Sequence, residues 1–101
     1  MSYLLRFVQR FRADKEREFL ELEKQFAELE SQFPKMPHGK RYRPYAGREP
    51  ANTLIWECEF PTLEAAQEAL ATIQSNPEHK RLFQQQVPYF LENWTEIYQS
   101  V

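Results

Sequence analysis

The change from strand to helix is clearest in residues 55–69, which read IWECEFPTLEAAQEA. Up to Phe60 the apolar residues alternate with mostly charged ones, as in a strand that has one covered face. Pro61 then interrupts the strand pattern. Thr62 followed by Glu64 is typical of a helix start, because Thr accepts a hydrogen bond from the first turn and the helix dipole favours an acid there. We therefore predict a strand over 53–60 that leads directly into a helix.

A strand and a helix also follow one another at the start of the chain. Residues 2–11 carry apolar groups on both parities, which indicates a central strand covered on both sides. Residues 14–33 have apolar side chains three and four positions apart, the spacing of one helical stripe, and Pro34 and Pro37 stop this helix. The predicted stripe consists of Phe19, Leu22, Phe26, Leu29 and Phe33.

Two further strands and a helix break complete the chain. Residues 38–47 form a polar segment, and Pro44, which cannot donate to a ladder, places it at a sheet edge. The run Asn76-Pro77-Glu78 is a fresh helix start that breaks the second helix and begins a second helical piece over 77–86. Residues 90–100 give the last strand.

The resulting order, β-α-β-β-α-β, predicts an α+β ferredoxin-like sandwich. It has an antiparallel four-stranded sheet, helices on one face, and the first and third strands in the centre. The 101 residues fit one domain, spanning 1–101, and leave no room for two.

Such a sandwich leaves one sheet face bare. We assign the wholly apolar set Leu5, Phe7, Trp56, Cys58 and Phe60 to the helix side. The bare side mixes aliphatic and charged residues, and Arg6 and Arg10 are expected to lie near Glu57 and Glu59. Either this face is solvated, with ordinary surface ion pairs, or two such faces stack across a two-fold axis into a barrel. The second interpretation predicts a homodimer interface that includes Leu4, Arg6, Val8, Ile55, Glu57 and Glu59.

Composition narrows the classes of function. The net charge of −2 argues against a nucleic-acid binder. The single cysteine, Cys58, fits a reducing compartment, and Arg6 interrupts the apolar run at the amino terminus, so we expect a cytoplasmic protein without a membrane partner. No residues have the spacing of a metal site and only two glycines occur, so we expect no cofactor.

Residues 55–69, followed by Asn76-Pro77-Glu78-His79, resemble the dimeric α/β-barrel superfamily, and within it the NIPSNAP-like and antibiotic-biosynthesis-monooxygenase-like small proteins. The resemblance covers the whole chain in element order. It implies a homodimer and a range of functions that includes small monooxygenases, haem-degrading enzymes and isomerases. The haem-degrading members use an Asn on the first strand with a Trp and a His further on. Trp56 and His79 could take the last two places, but the first strand has no Asn, so that activity is not carried over.

The candidate ligand-binding residues are Arg43, Tyr42, Trp56 and His79. The segment 35–48 has five basic residues, no acid and two interleaved tyrosines, so it could bind an anionic or aromatic ligand. The alternative is a charged edge strand that discourages aggregation. For His79 the alternative is an exposed polar residue at a helix start.

Three functions follow from these patterns. The first is a small homodimeric protein that binds a small aromatic or anionic molecule. The second is a cofactor-independent monooxygenase or isomerase acting on a small aromatic or lipophilic substrate, which needs a pocket reaching Trp56, Arg43 or His79. The third, RNA binding by a domain with this element order, is disfavoured because residues 53–60 contain two acids and lack the glycine of the usual motif.

Overall fold

A computed structural model describes residues 1–101. Four strands and three α-helices follow one another in the predicted order, with a short 3₁₀ turn before the first helix and another before the last strand. The strands are β1 (Tyr3–Phe11), β2 (Lys40–Tyr42), β3 (Thr53–Phe60) and β4 (Phe90–Gln99), and the helices are α1 (Glu16–Gln32), α2 (Leu63–Ser75) and α3 (Pro77–Gln86).

The four strands form one antiparallel sheet in the order β2-β3-β1-β4. Phe7 in β1 lies opposite Trp56 in β3 and Thr95 in β4. The predicted α+β ferredoxin-like fold is confirmed, with β1 and β3 central and β2 and β4 at the edges. Within one chain the sheet is open, so closure into a barrel requires a second copy and stays a prediction.

The strand β2 is shorter than the sequence indicated. Only Lys40, Arg41 and Tyr42 pair with β3, whereas the predicted strand covered 38–47. Pro44 lies beyond the ladder, since it lacks the N–H that would extend the pairing. The edge position of this strand is right, but the prediction that Pro44 sits in it is wrong.

The helix boundaries follow their caps. The Thr62 side chain accepts a hydrogen bond from the Ala65 amide at 3.0 Å, and the Asn76 side chain accepts one from the His79 amide at 2.9 Å. The second cap confirms the break at Asn76-Pro77 and places His79 in the first turn of α3. Phe33 is 42% exposed and extended, because α1 ends one residue before it, so it does not belong to the buried stripe.

The core lies between the helices and one sheet face. Leu5 and Trp56 are buried there, with Phe7, Cys58 and Phe60 packed beside them, which confirms the helix-side assignment. The helices contribute Leu22, Phe26, Leu29, Ile73 and Leu82 to the same cluster, and a smaller cluster joins Phe11, Phe19 and Leu54.

The bare face carries two arginines, each between two acids. The Arg6 Nε atom lies 2.8 Å from a carboxylate oxygen of Glu57, as expected, and the Arg6 Nη1 atom lies 3.4 Å from one of Glu96. Arg10 instead pairs with Glu49 and Glu92, at 3.5 and 3.1 Å. The expected proximity of Arg10 to Glu59 is wrong, because Glu59 lies opposite Leu4 near the other end of the β1–β3 ladder.

Candidate functional site

A cavity of about 360 Å³ lies between the sheet and the helical layer. Three pairs of rings line it. Phe7 stacks on Trp56 with centroids 4.8 Å apart, Phe83 lies against Phe90 at 5.6 Å, and Phe26 lies against His79 at 4.8 Å. Aromatic pairs at these separations bury much apolar area and keep their orientation. The walls are therefore mainly apolar and come from both layers of the fold.

One arginine organises the polar part of the wall. Arg41 lies opposite Trp56 in the β2–β3 ladder, so its side chain projects to the helix face. Its Nε atom donates to Glu23 at 2.9 Å and its Nη2 atom donates to Glu30. Gln86 of α3 donates to the other oxygen of Glu23 at 2.9 Å. This network joins the edge strand β2 to helices α1 and α3.

The Glu30 carboxylate also fixes the Trp56 ring. One of its oxygens accepts hydrogen bonds from the indole Nε1–H at 3.0 Å and from the Gly39 amide at 3.1 Å. Gly39 packs directly on the indole, where a Cβ atom would overlap the ring. With Phe7 stacked on it as well, the indole is held in one orientation beside the cavity.

The two glutamates were missed in the sequence, although their spacing is visible there. Glu23 follows Phe19 by four residues and Glu30 follows Phe26 by four, so both acids belong to the apolar face of α1. They are only 5% and 8% exposed. An acid at a core position of a helical stripe predicts a buried partner, since an unpaired buried charge is costly.

The network shifts the proton affinities of its members. Burial raises the pKa of Glu23, against the opposing effects of the Arg41 charge and of the hydrogen bonds from Gln86 and Arg41. Burial by itself would lower the pKa of Arg41. The hydrogen bonds to Glu30 and Glu23, together with the charges of those acids, hold this pKa above its usual value. Burial lowers the pKa of His79, which Glu30 partly counteracts. At neutral pH the imidazole is therefore uncharged.

Of the four residues that the sequence singled out, Trp56 and His79 line the cavity. Tyr42 lies opposite Ile55, and its side chain projects to the bare face. Arg43 follows β2 and donates to Glu16 at 2.7 Å and to the Ala51 carbonyl at 2.9 Å. Within the basic segment, Arg41 reaches the cavity and Arg43 does not, because Arg41 pairs opposite Trp56 within β2 whereas Arg43 lies past the end of that strand and is held by Glu16 and Ala51.

The fold, including the layer that encloses the cavity, is shared with solved structures. A NIPSNAP family protein from Agrobacterium tumefaciens is 14% identical, with a TM-score of 0.78 over 100% of this chain and 94% of that one. An uncharacterised NIPSNAP-like domain protein from Burkholderia xenovorans is 16% identical, with a TM-score of 0.78 over 99% and 85%. A candidate antibiotic biosynthesis monooxygenase from Nitrosomonas europaea is 12% identical, with a TM-score of 0.73 over 99% and 90%.

These likenesses define the class of protein by its fold: a ferredoxin-like domain of the kind found in NIPSNAP proteins and antibiotic biosynthesis monooxygenases. They confirm the resemblance expected from residues 55–69 at the level of fold. No family model and no curated protein matches the sequence. No cluster of three or more His, Cys, Asp or Glu side chains is arranged to hold a metal, and none of the helices has the length and apolarity to span a membrane.

A Glu23→Gln variant tests the buried carboxyl. Because the pKa of Glu23 is raised above its ordinary 4.5, the folded protein retains a proton that the unfolded chain has already lost, and wild-type stability falls as pH rises through that window. Glutamine has no such proton. The free energy of unfolding of the variant, relative to wild type, should therefore increase as pH rises above the ordinary value of 4.5, by at most about 1.4 kcal/mol per pH unit, until the folded protein has also lost this proton.

Denaturant unfolding at several pH values measures this difference. Glu21→Gln, an exposed position on the same helix, is the matched control and should show no such trend. A difference between Glu23→Gln and wild type that is constant with pH would contradict a raised pKa at Glu23.

Proposed function

We propose that this protein binds a small aromatic molecule in the cavity between its sheet and its helices. The observation that carries the proposal is the wall itself, which combines three pairs of rings with one hydrogen-bonded network. Ligand sites are commonly apolar cavities of about 300–1,000 Å³ in which a few fixed polar groups set orientation. The volume of about 360 Å³ suits a ligand of one or two rings.

The wall is also pre-organised, which favours binding. Trp56 is fixed by its hydrogen bond to Glu30 and by the stacked Phe7 ring, so little side-chain freedom remains to be lost when a ligand enters. His79 offers ring nitrogens that make no hydrogen bond within the chain. A ligand could therefore gain both ring stacking and a directed polar contact.

Narrowing the cavity should abolish binding. Thr95 lies in β4 on the helix side and lines the cavity, so Thr95→Phe places a ring in the space. With 2-naphthylmethanol as the probe, titration calorimetry should give saturable binding to wild type and an affinity at least about tenfold weaker for the variant.

Ile97→Phe is the control, since this position is on the same strand and face but outside the cavity wall. It should bind like wild type. Equal weakening in both variants would mean that the probe binds elsewhere on β4, and no saturable binding of any naphthyl probe, neutral or charged, to wild type would refute the proposal.

We propose further that a second copy of the chain covers the bare face, as the homodimer expected from the sequence. The face joins aliphatic residues to the exposed ring of Tyr98, which lies 5.1 Å from the Arg6 guanidinium. Its arginines and acids offer both signs of charge, so two copies of the face are self-complementary across a two-fold axis.

A charge at the centre of that face should separate the copies. Ile55→Glu adds an unpaired carboxylate beside Glu57, whereas Leu63→Glu makes the same change at an exposed position on α2. Sedimentation at micromolar concentration should show a dimer of the 12.2 kDa chain for wild type and Leu63→Glu, and a monomer for Ile55→Glu. A wild-type monomer would refute the dimer.

An enzymatic function is the second candidate, a cofactor-independent monooxygenase or isomerase acting on an aromatic or lipophilic substrate. Two observations favour it: the neutral imidazole of His79 in the cavity, and a fold neighbour described as an antibiotic biosynthesis monooxygenase. An uncharged imidazole beside a bound hydroxyaromatic could take its proton as a general base.

His79→Asn separates this role from binding. Asn retains a polar side chain of similar size but cannot act as the base. If His79 is the base, oxygen consumption with 1-naphthol should fall by about a hundredfold or more, while 1-naphthol affinity changes little. Absence of oxygen consumption by wild type with a panel of hydroxyaromatics would count against the monooxygenase.

A further inference from the structure

The buried carboxylates in the cavity wall outnumber the buried cations. Glu23 and Glu30 are nearly inaccessible, and the one guanidinium between them, Arg41, hydrogen-bonds to both. Lys80 also belongs to the wall, but it is exposed and its charge is screened by water. With both carboxyls ionised, the buried network carries a net negative charge.

An anionic ligand would meet this network unfavourably. Arg41 is the group that would attract it, but its charge is already matched by two carboxylates that also line the cavity. Charges within a few ångströms interact strongly where water is excluded, so an added anion would be repelled by two groups and attracted by one.

The aromatic lining, like the carboxylates, favours a positively charged ligand. The faces of Trp and Phe rings are electron-rich and attract cations within about 6 Å, most strongly for Trp. Trp56 belongs to the wall, with four Phe residues around it. Rings and carboxylates together make the lining of a site for organic cations.

We propose that the ligand of this cavity is an organic cation, an aromatic molecule that carries a protonated amine. This inference rests on the proposed function and adds the charge of the ligand to it. It also replaces the anionic alternative that the basic segment 35–48 suggested, because the one arginine of that segment that reaches the cavity is already neutralised there.

Proton exchange at Glu23 accompanies such binding. This carboxyl faces Arg41 from β2, Glu30 on its own helix and Gln86 from α3. Burial raises the pKa of this carboxyl, and an ammonium group bound nearby would favour its ionised form and so lower that pKa. Amine affinity should therefore rise with pH while the ligand stays protonated, and the affinity of a neutral ligand should not follow that trend.

Three probes with one ring system test the charge: 2-naphthylmethylamine, 2-naphthylmethanol and 2-naphthoate. Calorimetric titration at about pH 7.5 should rank the amine at least about tenfold tighter than the alcohol, with the carboxylate weakest. Glu23→Gln should weaken the amine by a much larger factor than the alcohol, which removes most of the amine advantage. The exposed control, Glu21→Gln, should leave all three affinities unchanged.

The outcomes separate this inference from the proposed function. If the alcohol binds as tightly as the amine, or the carboxylate binds tightest, and Thr95→Phe weakens that binding, the cavity binds aromatic ligands and the charge assignment is wrong. Saturable binding of none of the three probes overturns the proposed function itself. Loss of alcohol binding in Glu23→Gln would show that Glu23 shapes the cavity rather than selecting charge, and would also overturn the inference.

Discussion

The rest of the structure depends on one guanidinium shared by two buried carboxylates. Arg41 belongs to the shortest strand of the sheet, which pairs with β3 through only three residues. Its contacts with Glu23 and Glu30 attach this edge strand to α1. Removing one partner of a buried ion pair generally costs about 3–5 kcal/mol, because the remaining charge stays buried without compensation. The network therefore holds Arg41 of β2 against Glu23 and Glu30 of α1.

The same network links stability to the shape of the cavity. Glu30 hydrogen-bonds to Arg41, to the Gly39 amide and to the indole of Trp56, so one carboxylate orients a guanidinium, a loop and a ring. Each of these groups borders the cavity or supports a group that does. The packing that closes the edge of the fold therefore also positions the Trp56 side of the cavity wall.

Both faces of the sheet carry an arginine between two acids, but the acids differ in their access to water. On the helix face the half-buried Arg41 lies between two nearly inaccessible acids. On the bare face Arg6 lies between Glu57 and Glu96, all of them partly accessible to water. Exposed pairs are screened and contribute little to stability, whereas the buried ones act at low dielectric. This difference in the accessibility of the acids underlies both proposals, charge selection on the helix face and contact with a second copy on the bare face.

The sequence by itself determined the elements and their order. Periodicity defined α1 and β3, the Thr62 and Asn76 caps fixed where α2 and α3 begin, and the apolar content of β1 and β3 placed them in the centre, because these features depend only on neighbours along the chain. The sequence also identified Trp56 and His79 as candidate ligand-binding residues, and both line the cavity. The sequence analysis placed the end of β2 too far along the chain, because Pro44 lies beyond the last paired residue and not within the strand.

Only the tertiary structure decided which groups meet. Arg41 lies 18 residues from Glu23 and 11 from Glu30, and Gln86 lies 63 residues from Glu23. Their contact depends on strand order, on the register that sets Arg41 opposite Trp56, and on the packing of α3 against α1. No local pattern encodes these distances. The sequence therefore determined a ferredoxin-like sandwich, and long-range packing selected Arg41 over Arg43 and made two glutamates part of a cavity wall.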